Sequence, residues 1–238
     1  YSIRDLTGTI PSMPLICSSI MSKKIAEGLD GLIMDIKVGN GAFMKTISEA
    51  KILATELKKI GSAFKIKTDI TFSNMSQPLG RYAGLGCEII ESINCLKGDG
   101  PDDLIELSLE LGSKVLIQSK KADNKNEAKK KMLKTINDGS ALKKFEEMII
   151  AQGGNFEQLQ SSQSNIKNEL YICSDREGYI SSMDTEKIGW ALVEMGCGRQ
   201  RDKDLLDYTA GIRFNVKVGE TIKKGEKVYT LFGKNIKK

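Results

Sequence analysis

Histidine is absent from the 238 residues of this chain. It is the commonest general base near neutral pH, and both Ser-His-Asp and Cys-His catalysis depend on it. These two nucleophilic mechanisms are therefore excluded for a site built from these residues alone. A zinc site is not expected either, because the five cysteines include no CxxC pair.

Aromatic residues are scarce, and long apolar runs are missing. Aromatic side chains make up 6% of the chain, and no segment approaches the roughly 20 apolar residues that a membrane helix needs. The net charge is +5, and the densest basic run, Lys129–Lys131, lies in a predicted exposed helix without interleaved aromatics. A solvated helix face explains this run better than a nucleic-acid surface does. We therefore expect neither nucleic acid nor a membrane as a partner.

The cysteines indicate a reducing compartment. Their number is odd, and three of them, Cys17, Cys87 and Cys95, lie among apolar residues, where they are expected to act as small core side chains. A cytoplasmic location is therefore favoured over an oxidising one.

The hydrophobic pattern of the first hundred residues predicts alternating helices and strands. Residues 11–28 keep helical spacing, and residues 31–37 form a nearly continuous apolar run that is typical of a buried strand. Ser48 is expected to cap the next helix, a second strand follows at 65–72, and residues 78–96 read as one helix. This order predicts an α/β fold with a parallel or mixed sheet.

The remainder of the chain divides into a helical stretch and a glycine-punctuated tail. Three successive helices are predicted at 101–121, 124–137 and 139–152, and a loop at 158–168 follows them. The tail predicts short strands at 170–174, 178–182 and within 211–231, with one helix at 185–194. Within the tail, the segment 217–226 resembles the hairpin of a lipoyl- or biotinyl-type barrel sandwich. The chain lacks the Asp-Lys-Ala and Met-Lys-Met carrier triplets, so this resemblance implies a shape and not a swinging arm.

Three polar residues near the start could converge on a small ligand. Ser19 and Lys23 are four residues apart on the first predicted helix and share a face, and Arg4 precedes that helix. Arg and Lys only donate hydrogen bonds, whereas a serine hydroxyl can also accept one. This set suits a pyrimidine base, which offers two carbonyl oxygens and one N–H. On spacing alone, a surface ion pair beside a polar helix face is the preferred interpretation of these residues.

Several longer motifs add a resemblance to a known family. Residues 1–7 (Tyr-Ser-Ile-Arg-Asp-Leu-Thr) and 14–24 (Pro-Leu-Ile-Cys-Ser-Ser-Ile-Met-Ser-Lys-Lys) resemble the base-binding segment of the thymidine and pyrimidine nucleoside phosphorylases. Residues 35–44, 74–80 and 151–154 also resemble that family, in the same order along the chain. The likeness covers essentially the whole chain, and the motifs are jointly specific.

The resemblance implies roles for four residues and a reaction. The base-binding residues of the family fall on Arg4, Ser19 and Lys23, its active-site tyrosine falls on Tyr1, and Arg4 and Lys23 would also be catalytic by stabilising the departing base. The implied reaction is the phosphorolysis of uridine, thymidine or deoxyuridine to free base and a pentose 1-phosphate, which makes the parent protein a pentosyltransferase. Phosphate is the co-substrate, no organic cofactor is implied, and a cytoplasmic homodimer is expected.

The phosphate-binding half of the family is expected to lie outside this chain. The family holds phosphate with Lys-His-Ser and Thr-Gly-Gly-Thr segments, and neither occurs in this sequence. The chain is therefore expected to be the C-terminal part of the enzyme, and to be inactive alone. The glycine loop at residues 39–41 could cradle phosphate on backbone N–H groups, but a plain tight turn is the preferred interpretation.

A monovalent cation is a further expectation from the resemblance. In some bacterial members, backbone oxygens and one carboxylate bind potassium. The resemblance places three of these ligands on Leu79, Tyr82 and Glu91 and the remaining ones in the part of the family outside this chain. Tyr82 replaces a smaller residue, which a backbone ligand tolerates. Oxygen ligands of this kind suit a hard, weakly charged ion.

The expected architecture has three parts. Residues 1–28 are predicted to be the remnant of a small all-helical domain, 29–168 an α/β domain with a mixed sheet and a helical extension, and 169–238 a barrel-sandwich-like β subdomain. Two other functions stay open at this point. One is a phosphoribosyltransferase on a related fold, although no diphosphate loop or pair of metal-binding carboxylates is evident, and the other is a non-catalytic binding or carrier module.

Overall fold

The computed structural model describes Thr9, residues 12–161, 168–201 and 204–234, and Ile236. The helices in chain order are α1 (Met13–Ala26), α2 (Ile47–Ala63), α3 (Gly86–Leu96), α4 (Asp102–Gln118), α5 (Lys125–Asn137), α6 (Ser140–Ala151), α7 (Phe156–Ser161) and α8 (Thr185–Leu192), and a π-helical turn at Val193–Cys197 continues α8. The strands are β1 (Gly31–Val38), β2 (Lys67–Asn74), β3 (Tyr82–Gly84), β4 (Glu169–Cys173), β5 (Gly178–Tyr179), β6 (Gly211–Phe214), β7 (Thr221–Ile222) and β8 (Lys227–Phe232).

The prediction of an α/β fold with parallel strands is confirmed. Strands β1 and β2 pair in parallel, from Gly31 opposite Lys67 to Val38 opposite Asn74. Helix α2 connects them, as expected for a crossover between parallel strands. One face of the pair packs on α1 and α2, with Leu57 and Ala50 fully buried and Met21 of α1 packed into the same core.

The N-cap of helix α2 lies two residues before the predicted one. The N-cap is Thr46 and not Ser48: the Thr46 hydroxyl accepts from the Glu49 N–H, and the Glu49 carboxylate accepts from the Thr46 N–H at 3.1 Å. This capping box satisfies two backbone N–H groups that would otherwise lack a partner at the helix start. Ser48 lies inside the first turn and is exposed.

The predicted helix at 78–96 is wrong in its first half. Tyr82–Gly84 is strand β3, which pairs antiparallel with Gly211–Arg213 of β6, and the helix starts only at Gly86. Gly84 has a φ of +157°, and a Cβ placed there would lie 2.6 Å from the Ala210 carbonyl oxygen. The close approach of β6, more than 120 residues away in sequence, therefore decides the conformation here.

The tail forms two antiparallel sheets. Strands β3, β6, β8 and β4 form one sheet in that order, and β5 pairs with β7 in a second sheet. The buried residues Met183, Ile212 and Phe214 form the core beneath them. Within the described residues these sheets do not close into a barrel. Part of the predicted 158–168 loop is helical instead, because α7 extends to Ser161.

The chain divides into two compact units. Unit 1 contains Tyr1–Met75 and Ser108–Lys130, and unit 2 contains Ser76–Leu107 and Lys131–Lys238. The boundaries predicted at 28 and 168 stay a prediction. In the described ranges, no helix combines the length and the apolar character needed to cross a membrane.

Candidate functional site

A cavity in unit 1 contains one of the predicted base-binding residues. Its volume is about 430 Å³, which is within the range of small-molecule sites. Helix α1 lines it with Ile16, Ser19 and Ile20, which repeat at helical spacing, and Leu53 and Leu57 of α2 line it from another side. The wall is thus mainly apolar with few polar groups, an arrangement that can bury the flat face of a small ring.

Polar side chains cluster where β1 and β2 end. Asp35 and Lys37 belong to the cavity lining, and their carboxylate and ammonium groups lie 2.7 Å apart. The Ser73 hydroxyl of β2 donates to the same Asp35 oxygen, Oδ2, at 2.9 Å. The other oxygen, Oδ1, is buried and has no hydrogen-bond partner among the residues that the structure describes. The carboxyl ends of the two parallel strands therefore bring a fixed negative group to the edge of the cavity.

The N–H groups of the glycine loop after β1 donate hydrogen bonds to backbone carbonyls of the protein. Gly39 N–H donates to Met44 O at 3.1 Å, Gly41 N–H to Met75 O at 3.0 Å, and Ala42 N–H to Gly39 O at 3.0 Å. These donors are therefore not directed at a phosphate, which agrees with the interpretation of the loop as structural. Phe43 projects from the loop with 70% of its surface exposed, and it also lines the cavity.

The structure describes two of the four predicted substrate-binding residues. Ser19 lines the cavity, and Lys23 lies one turn further along the same helix, where it is exposed. Tyr1 and Arg4 fall outside the described residues. The sequence assigned no role to Ser73, whose contact with Asp35 spans 38 positions; only the parallel pairing of β1 and β2 could have revealed it.

The predicted cation ligands lie in unit 2, around a loop at residues 77–82. Glu91 of α3 is 5% exposed, and its Oε1 accepts the Arg81 N–H at 2.7 Å. Burial raises the pKa of the Glu91 carboxyl, while hydrogen bonds from the Arg81 and Tyr82 backbone N–H groups act in the opposite direction. A buried carboxylate beside backbone carbonyls is a donor set that a monovalent cation fits, since added positive charge would offset the cost of burial.

A buried lysine, which the sequence did not single out, holds the 77–82 loop. Lys217 is 7% exposed, and its ammonium group donates to the carbonyls of Pro78 and, at 2.7 Å, Gly80. It also donates to Asp103 Oδ2 at 3.1 Å, and the same oxygen accepts the Gly80 N–H. The ammonium group thus has three oxygen acceptors, which is the number of its N–H donors. In the described parts of both units, no three His, Cys, Asp or Glu side chains are grouped as a metal site.

Two protein-family models match the chain. The model described as the a/b domain of a glycosyl transferase family matches residues 1–142, and the model of the pyrimidine nucleoside phosphorylase C-terminal domain matches residues 179–238. Together they cover the residues that line the cavity and those that hold the 77–82 loop.

Similar curated proteins have the same family name. A pyrimidine-nucleoside phosphorylase of Staphylococcus epidermidis is 42% identical over 233 residues, which is 97% of this chain and 54% of the relative. The proteins of the same name from Staphylococcus haemolyticus and Staphylococcus aureus are each 41% identical with the same coverage. The chain spans about half the length of the curated relatives it matches. On both the family models and these relatives, the chain belongs to the pyrimidine nucleoside phosphorylase family.

Proposed function

We propose that the protein of which these residues form part is a pentosyltransferase that catalyses the reversible phosphorolysis of pyrimidine nucleosides. Uridine, thymidine and deoxyuridine are the proposed substrates, and free base and a (deoxy)ribose 1-phosphate are the products. One observation carries the proposal: in a chain of this family, Ser19 of the base-binding motif lies on the wall of a ring-sized apolar cavity.

The proposed mechanism depends on electrostatic stabilisation. As phosphate attacks the anomeric carbon, the glycosidic bond breaks and negative charge develops on the departing base. Arg4 and Lys23 donate to the carbonyl oxygens of the base and stabilise that charge, and Ser19 accepts from its N–H. Tyr1 completes the base site. The reaction needs no protein nucleophile, which agrees with a chain without histidine.

The finer architecture follows from the same proposal. Phosphate binds in a part of the enzyme outside these 238 residues, so this chain alone is inactive. Residues 1–28 belong to a small helical domain, and 169–238 form a barrel-sandwich-like subdomain. The enzyme works in the cytoplasm as a homodimer, with phosphate as its co-substrate.

A potassium ion is proposed as the inorganic cofactor. The backbone oxygens of Leu79 and Tyr82 and the carboxylate of Glu91 would hold it, and the buried state of Glu91 supports this assignment. When bound, the ion supplies positive charge beside a carboxylate that is costly to bury. Glu91 itself holds the 77–82 loop by accepting the Arg81 N–H.

A chimera tests the proposed function. The part of the Staphylococcus epidermidis relative that the match does not cover would be joined to this chain, and the release of uracil and thymine from uridine and thymidine would be followed with and without phosphate. We expect release only by the chimera and only with phosphate. Equal release without phosphate would point to a hydrolase, and phosphate-dependent release by the 238-residue chain alone would place the phosphate site within it. Synthesis of a nucleotide from free base and phosphoribosyl diphosphate would favour the phosphoribosyltransferase alternative.

A further inference from the structure

The turn at residues 215–220, between β6 and β7, is bound to the 77–82 loop by contacts at three places in unit 2. The Val218 N–H donates to Gln77 Oε1 at 2.9 Å. The Arg81 guanidinium group makes two hydrogen bonds with the two carboxylate oxygens of Glu220, at 3.1 and 2.5 Å. Between these contacts lies the buried Lys217. The turn belongs to the segment matched by the C-terminal domain model, and the loop to the segment matched by the a/b domain model. A turn of the first segment therefore holds a loop of the second.

Lys217 fixes the carbonyls on both sides of Leu79. Its ammonium group binds the oxygens of Pro78 and Gly80, and Asp103 holds the Gly80 N–H at 3.2 Å. The ammonium group therefore holds the peptide before Leu79 and the peptide after Gly80. The peptide between them, which carries the Leu79 carbonyl, is held by Asp103, the ion-pair partner of Lys217. An ammonium group is suited to this task, because it is a compact charge with three donors on a long stem.

Glu91 and strand β6 also hold the backbone of residues 80–82. The Arg81 N–H donates to the Glu91 carboxylate at 2.7 Å, and the Arg81 carbonyl accepts the Phe214 N–H at 2.8 Å. Gly80 allows this approach: its φ is +71°, and a Cβ there would lie 2.3 Å from Glu91 Oε2. The loop is therefore shaped by the side chains and strands around it.

Acidic side chains outnumber basic ones around the loop. Among the described residues in contact with its backbone or with the turn, the acidic side chains are Asp103, Glu91 and Glu220, and the basic ones are Lys217 and Arg81. Glu91 is the buried member of the three acids. Either a proton or a monovalent cation beside it would offset the cost of its burial.

From this geometry we propose that the turn at residues 215–220 preforms the cation loop, and that Lys217 is the positioning residue that orients the peptides around Leu79 for a potassium ion beside Glu91. The proposal rests on the cation ligands of the proposed function. It assigns a specific task to the C-terminal domain: Lys217 does not contact the substrate but sets the shape of the loop that binds the cation.

Two measurements on the chimera, which supplies the remaining cation ligands, test this proposal without an activity assay. The wild-type chain and every variant below are measured in this form. The melting temperature would be compared in KCl and in tetramethylammonium chloride at equal ionic strength. Hydrogen exchange of residues 78–82 would be followed by mass spectrometry. The variants are Lys217→Met and, as a matched control, Lys224→Met, an exposed lysine on the neighbouring β7–β8 turn. Lys217→Arg keeps the charge but replaces three convergent donors with a planar fork.

For the wild-type chain we expect KCl to raise the melting temperature by roughly 3 °C, as for a ligand at several times its Kd. Lys217→Met should lower the melting temperature by about 10 °C, because removing one partner leaves Asp103 and two carbonyls without their donor. It should also abolish the KCl effect and speed exchange in the loop by about tenfold or more. Lys217→Arg should fold but lose the KCl effect, and Lys224→Met should behave as wild type.

The two halves of the proposal fail separately. A wild-type chain that melts at the same temperature in both salts would overturn the cation site. Unchanged loop exchange and an intact KCl effect in both Lys217 variants would overturn the positioning role. Either result is independent of phosphorolysis, so a failure of the proposed reaction would be recognised separately in the chimera assay.

Discussion

The cavity of unit 1 and the 77–82 loop of unit 2 are built by different means. The cavity is formed by regular elements whose apolar residues repeat at helical or strand spacing, and its polar groups are few. The loop connects β2 to β3. Nearly every polar contact that shapes it comes from side chains more than ten residues away in sequence, such as Lys217 and Asp103. The comparison teaches that local patterns predict most of the elements that line the cavity, whereas the contacts that shape the 77–82 loop come from distant parts of the chain.

The largest effect on activity is expected at the proposed base-binding residues. In the chimera, Arg4→Ala and Lys23→Ala should each reduce kcat/KM by about 10² to 10³, the scale for losing one donor to a developing charge. The melting temperature should hardly change, because Lys23 is exposed. Lys24→Ala is the matched control, since Lys24 pairs with Glu27 on the same helix at 3.1 Å. Activity within a few-fold of wild type for both test variants would remove them from the mechanism.

The effect of dense packing around the 77–82 loop on stability can be measured by comparing alanine substitutions at two glycines. Gly80 and Gly28 have nearly the same φ, +71° and +69°, but only Gly80 has a neighbour, Glu91, within reach of an added Cβ. Gly80→Ala should therefore cost about 2 to 4 kcal/mol of unfolding free energy, against about 1 kcal/mol for Gly28→Ala, which carries the backbone term alone. Urea denaturation measures both, and equal costs would show that the loop tolerates a side chain.

The buried carboxylate of the loop should make stability depend on pH. Burial raises the pKa of Glu91 in the folded state, so the ionised form is disfavoured there, and its cost is relieved as the pH falls through the raised folded value towards the ordinary one. The unfolding free energy of the wild type minus that of Glu91→Gln should therefore increase as the pH is lowered from neutral towards the ordinary pKa of a glutamate. Denaturant titrations across this range would test the sign, and a difference that stays constant or falls would contradict it.

The smallest effect on the unfolding free energy is expected at the N-cap of α2 in unit 1. Thr46→Ala removes the N-cap hydroxyl of α2 and should cost about 1 kcal/mol, whereas Ser48→Ala, inside the first turn and exposed, should stay within about 0.5 kcal/mol. The pair is compared by chemical denaturation. A larger cost at Ser48 would return the cap to the position that the sequence pattern suggested.

Sequence patterns located most elements of unit 1 to within a few residues. β1 and the helix before it follow from apolar periodicity, and α2 was displaced by only two residues, because Thr46 and Ser48 are both good caps and only Thr46 has an acidic residue three positions later. Ser19 also follows from its motif, and the structure places it on the cavity wall. The contact of Asp35 with Ser73 could not be predicted, since it depends on the register of two strands.

In unit 2 the pattern failed where tertiary contacts oppose it. Residues 78–85 carry helical spacing, yet Tyr82–Gly84 pairs with β6. Strand pairing of this kind depends on a distant partner, which no local window contains.

The sequence by itself determined the family, the α/β class and the choice of Ser19 as the proposed base-binding serine, because motifs and periodicities are local and survive in any window of the chain. Only the tertiary structure decided that Lys217 is a buried ammonium group with three acceptors and that Glu91 is a buried carboxylate. A lysine in a charged hairpin and a glutamate on an amphipathic helix look like surface residues until folding removes their water. Burial then makes their hydrogen-bond partners obligatory, and it is burial that turns two ordinary charged side chains into the supports of the 77–82 loop.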